Sequence, residues 1–141
     1  MPQGSGDASL LSSTLPHPKI KDLTEANAAL RRLAQNYVPI LIKPIPLHRL
    51  RLLTFSDGSF GNAGGGSAQT VHLVCAADQS VHEGKEADIS ILAYRSHKNP
   101  RAASSTLLNE ANAVSETLAD AEWVASWIGL AKNLNYDLRK R

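Results

Sequence analysis

The hydrophobic pattern of this chain changes period at Ser105, and that change limits the folds open to it. Before it, apolar residues alternate in three runs, Leu50–Ser56, Ala68–Ala77 and Ala87–Ser96. After it, Leu107, Ala111, Val114, Leu118, Ala121, Ala125 and Ile128 step by four and three alternately. That is the stripe of an amphipathic helix. Trp123, Trp127, Leu130 and Leu134 widen it at the far end, and Gly129 is its weakest point. The three runs are joined by the glycine-rich turn Gly58–Ser67 and the polar loop Asp78–Lys85. Short connections of this kind make an antiparallel meander. A helix with one apolar stripe must bury it, and the sheet is the available surface. The expected fold is therefore α+β: a three-stranded antiparallel meander packed on one long helix, running to about Asn133.

Upstream, residues 1–19 are rich in Gly, Ser and Pro and read as a linker without structure. Residues 20–47 read as a connecting helix and an extended segment. Asp22 with Glu25 three residues later has the form of a capping box, and Leu23, Ala26, Leu30 and Leu33 recur at helical spacing. Pro39, Pro44 and Pro46 confine Val38–Leu47 to an edge strand or a connector. Residues 48–141 form the remaining unit. With 141 residues the chain is at most one domain. A net charge of +2 is too weak to argue for nucleic acid by itself. Cys75 is the sole cysteine, which excludes an internal disulfide or a cysteine zinc site and favours a reducing, intracellular setting. No apolar run approaches the roughly 18 residues of a membrane span. Met1–Thr14 lacks the features of a secretion signal. A cytoplasmic or nuclear protein is expected, with no membrane partner.

Two acidic residues stand out. Asp57 follows the first strand and shares a face with Leu53 and Phe55. Glu110 borders the helical stripe, three residues after Leu107 and four before Val114. A carboxylate on an apolar face must be paired, protonated or bound to a metal. If the helix crosses the end of the first strand, the two acids converge, and paired carboxylates suit Mg²⁺. Plainer roles stand beside this one. Asp57-Gly58 is a common turn pair, and Glu110 suits a solvated first turn near a helix N-terminus. His72, His82 and His97 lack helical metal spacing, Cys75 reads as core, and Arg139-Lys140-Arg141 as a solvated tail.

The stretch Phe55-Ser56-Asp57-Gly58-Ser59-Phe60-Gly61-Asn62-Ala63-Gly64-Gly65-Gly66 resembles the first-strand motif of ribonuclease H. Tyr94-Arg95-Ser96-His97-Lys98, then Ser104-Ser105-Thr106 and Glu110, resembles the ribonuclease H segment of copia-type retrotransposon Pol polyproteins. The divergent copia-like elements of dinoflagellate genomes are the most similar, and the likeness spans about Lys21 to Arg141. It implies the N-terminal half of a ribonuclease H-like fold, and two-metal hydrolysis of RNA in RNA–DNA hybrids as the parent activity. It further implies Asp57 and Glu110 as catalytic, metal-binding carboxylates, and Ser59 and Asn62 as residues close to the hybrid backbone. Mg²⁺ is the implied cofactor, with Mn²⁺ as its substitute. The implied partners are an RNA–DNA hybrid and the remainder of a Pol polyprotein.

The chain departs from the family pattern: Tyr94 replaces Trp, His97 replaces Lys, and Glu110 lies one residue late. The family also uses two later Asp residues. Asp120 is ten residues past Glu110, roughly 15 Å along the same helix, and cannot join it. Asp88 belongs to the wrong strand end, and no strand leads into Asp137. A fragment with weak or lost activity is therefore expected. A non-catalytic nucleic-acid-binding module, or an interaction module completed by another chain, is the alternative.

Overall fold

A computed structural model describes residues 2–63, 67–99 and 105–133. Among them, α1 (Ser5–Ser12) and α2 (Ile20–Gln35) precede β1 (Leu50–Ala63), β2 (Ser67–Asp78), β3 (Ile89–Lys98) and α3 (Thr106–Lys132). The strands form one sheet in the order β1-β2-β3, antiparallel throughout. The architecture is α+β, with the sheet against a long C-terminal helix, as the change of period requires. The β1–β2 ladder extends further than the apolar runs do. Gly58 pairs with Thr70, Ser59 with Gln69 and, after a register shift, Ala63 with Ser67. Gly64, Gly65 and Gly66 of the glycine-rich turn lie outside the described residues, as do Pro100–Ser104 and Leu134–Arg141.

Paired residues on neighbouring strands share a face, and successive residues alternate. One face carries Leu52, Ser56 and Gly58 of β1 with Thr70, His72 and Val74 of β2, and α3 lies on it. The other carries Leu53, Phe55 and Asp57 with Val71, Leu73 and Cys75. α1 packs on this second face beside β3. Gln69 Nε2 donates to Ser9 Oγ (3.1 Å) and to Ser96 Oγ (2.9 Å). Val74, Cys75, Ala76 and Ala77 of β2 are buried, as expected of the central strand.

Three local expectations change. The segment read as a linker holds α1, whose N-terminus abuts α2. A Cβ on Gly4 would lie 2.7 Å from Leu33 Cδ1. α2 starts at Ile20 rather than after Asp22. The Asp22 carboxylate accepts from the Lys19 backbone N–H (2.7 Å), so it serves as a third-position acid and not as the cap. Residues 37–46 belong to no helix and join no ladder; the Lys43 N–H donates to Ser90 Oγ (2.8 Å) instead. At the far end of the sheet, Arg49 donates to both Asp78 oxygens at 2.7 Å. This contact holds the Asp78 carboxyl well below the usual carboxylate range, helped by the Ser80 backbone N–H.

The largest correction concerns α3. Its buried residues are Asn109, Ala113, Thr117, Val124 and Ser126. The apolar stripe faces solvent: Leu107 is 80%, Val114 47% and Leu118 54% exposed. Trp123 and Trp127 are also exposed and meet edge-to-face, with ring centroids 5.6 Å apart. Small and polar side chains line the helix–sheet contact because the two backbones approach closely there, leaving little room for branched residues.

Candidate active site where the long helix crosses the first strand

The crossing is set by Gly58 and Asn109. A Cβ on Gly58 would lie 2.8 Å from Asn109 Nδ2 and 3.0 Å from its backbone carbonyl carbon and oxygen. Only glycine lets α3 sit this low on β1. Asn109 is fully buried and ties the joint together. Its Nδ2 donates to the Ser59 carbonyl (3.1 Å), and its Oδ1 accepts from Asn99 Nδ2 (3.1 Å). Asn99 in turn donates its backbone N–H to the Ala68 carbonyl (2.8 Å). One asparagine thus joins α3, the end of β1 and the segment after β3. The helix starts nearby, where the Ser105 hydroxyl accepts from the Leu108 N–H (3.2 Å).

Asp57 and Glu110 therefore each stand one residue from the crossing. The crossing brings their backbones together but not their side chains to one point. Gly58 faces α3, so alternation turns Asp57 to the opposite face of β1, where it is exposed. Glu110 is half-buried on α3. Ser59 is half-buried, and its hydroxyl donates to the Gln69 carbonyl (3.4 Å) across the ladder. Asn62 belongs to β1, and its side chain lies outside the described residues. Among the described residues, no group of three or more His, Cys, Asp or Glu side chains is placed to hold a metal. This donor set does not fit a two-metal centre, which needs several carboxylates aimed at one point.

A second polar cluster lies further along the same interface. His72 is completely buried beneath α3, and its Nε2 is 2.7 Å from Asp120 Oδ2. His97 Nε2 is 3.0 Å from Glu116 Oε2, a distance suited to charge attraction, but the angle is too poor for a hydrogen bond. Glu116 and Asp120 lie one turn apart, and the two imidazoles meet edge-to-face at 6.3 Å. The other nitrogen of each ring, Nδ1, is buried without a hydrogen-bond partner. Burial lowers the His97 pKa from its ordinary value; Glu116 opposes this, while Arg95 and His72 reinforce it. Sequence alone places His72 on the second strand and His97 in the loop after the third, with neither under a helix; the structure extends β3 to Lys98 and so takes in His97. The usable signal is that both fall in register with the small residues of the inner face. Asp120, excluded from pairing with Glu110 by distance, finds His72 instead.

No helix among the described residues is long and apolar enough to cross a membrane. Neither a protein-family model, nor a curated protein, nor a solved structure matches this chain.

Proposed function

We propose that this chain is the N-terminal portion of a retroelement ribonuclease H-like domain. Its parent activity is hydrolysis of RNA in RNA–DNA hybrids, and that activity is silent in this chain alone. The observation that supports the reading is the crossing at Gly58 and Asn109. It brings the Phe-Ser-Asp-Gly-Ser motif and the helix start at Ser105-Thr106 together across a β1-β2-β3-α3 arrangement. Asp57 and Glu110 are the acids that the resemblance assigns to Mg²⁺, and in this chain they stand one residue from the crossing without converging on one point. The silence follows from the geometry of the donors, with Asp57 on the far face of β1 and, among the described residues, no group of three acids or histidines placed to hold a metal.

The test is cleavage of a labelled RNA–DNA hybrid by the folded chain with Mg²⁺ and then Mn²⁺, beside Asp57→Asn and Glu110→Gln. The expected result is no cleavage above background in any of the three. Cleavage by the unaltered chain that both substitutions abolish would overturn the silence and establish a working site. Specific hybrid binding that weakens steeply with salt would support the nucleic-acid part of the reading; no binding even at low salt would remove it. The reading of an interaction module is favoured by a different observation, the apolar stripe left uncovered on α3.

A further inference from the structure

We infer that α3 is a dimerisation helix, and that its solvent-facing stripe pairs with the same stripe of a second copy running antiparallel. The inference does not depend on the nuclease ancestry. Leu107, Ala111, Val114, Leu118, Ala121, Ala125 and Ile128 hold an unbroken alternation of four and three residues, the seam of a coiled coil. α3 meets the sheet with different residues. At 3.6 residues per turn, the seam lies roughly 110° around the helix from Asn109, Ala113, Thr117, Asp120 and Val124. A helix docked on this seam therefore lies beside the row that meets the sheet rather than over it. Leu107, Ala111, Val114, Leu118 and Ala125 are exposed, and Ala121 and Ile128 half-buried.

The sizes along the seam select the occupant. Place two copies antiparallel so that Leu118 of one meets Ala121 of the other. Then Val114 meets Ala125 and Ile128 meets Ala111, and symmetry repeats each pair. Every central layer joins one large side chain to one alanine, which fills the space at close approach without collision. A parallel pairing in register stacks Ala on Ala at three layers and leaves gaps there. The flanks carry no like-charge contact in the antiparallel arrangement. Ser115 comes opposite Glu122 and Glu110 opposite Ala131, while Lys132 of the second copy covers Leu107.

The experiment is sedimentation equilibrium of the full chain from about 1 to about 500 μM, a range that brackets weak self-association. A monomer–dimer equilibrium is expected. Leu118→Glu should abolish it while leaving the circular dichroism spectrum unchanged, because this side chain already faces water in the monomer. Leu118→Ala should weaken dimerisation by about tenfold or more, since each dimer loses the large residue of two layers. The double variant L118A/A121L exchanges large and small within those layers and should restore it. A spin label at Thr106 should report separations of about 40 Å, from 27 residues of offset at 1.5 Å each. A strictly monomeric chain, a dimer indifferent to Leu118→Glu, failure of the double variant to recover, or labels closer than about 20 Å as in a parallel pair would each overturn the proposal.

Discussion

At Gly58 the missing side chain sets the height of α3 above the sheet. An alanine there must push against Asn109 Nδ2 at 2.8 Å and against its backbone at 3.0 Å. The amide end of Asn109 can swing, but its backbone carbonyl belongs to the helix and can move only with it. Gly58→Ala should therefore destabilise the fold by about 1–3 kcal/mol, the usual cost of overpacking. Urea unfolding measures this. The companion change, Gly6→Ala, is a fair control, because a Cβ there meets only Ser96 Oγ, at 3.8 Å. Equal midpoints for the two variants would show that the crossing is not tight. The Asp57-Gly58 pair was legible as a turn or a strand end. Its packing role was not, because nothing in a sequence states which residue of a distant helix will face a given glycine.

At the scale of elements, α3 shows how much the pattern specified. Its start was readable from Ser105, and the structure places that serine as the N-cap. Ser105→Ala removes the acceptor for the Leu108 N–H and should cost about 1 kcal/mol. Thermal melting followed by circular dichroism tests this, and an unchanged midpoint would mean that water caps the helix as well as the hydroxyl does. The three strands and their order were equally readable, since period-two runs and short loops leave few alternatives. The sheet-facing side of α3 was not. Amphipathicity identifies an apolar stripe, but it cannot say whether the stripe meets this chain's sheet or another helix. The four–three alternation was the informative detail, because a helix on a sheet does not need to keep a strict seam. α1 escaped notice for a simpler reason: a short Ser- and Gly-rich helix has no stripe and is held by its contacts with β3 and α2.

For the molecule as a whole, His97 couples stability to pH. His97 lies between Glu116 of α3, Arg95 and His72, with Asp120 beyond, and burial keeps its pKa below the ordinary 6.5. The unfolded chain takes up a proton near pH 6.5 that the folded chain resists. Stability contributed by this site is therefore fully present above that pH and declines as pH falls through it toward the lowered folded value. Unfolding free energies measured from pH 8 down to pH 5 should fall, and His97→Gln should flatten that part of the profile. An unchanged profile would show that His97 remains open to protonation in the folded protein.

What the sequence determined by itself is the inventory: three alternating strands, their antiparallel order and one long helix from Ser105; Asp57, read as following the first strand, lies within it, because the β1–β2 ladder continues through Gly58 and Ser59. That inventory follows from periods and turn residues, which are local. Tertiary structure decided which face of α3 is inside, which side of β1 carries Asp57, and that His72 and His97 end beneath Asp120 and Glu116. These depend on how closely a helix can approach a sheet. Here Gly58, Ala113 and Thr117 let it approach closely, so small and polar residues went inward, and the larger apolar ones were left for a neighbour.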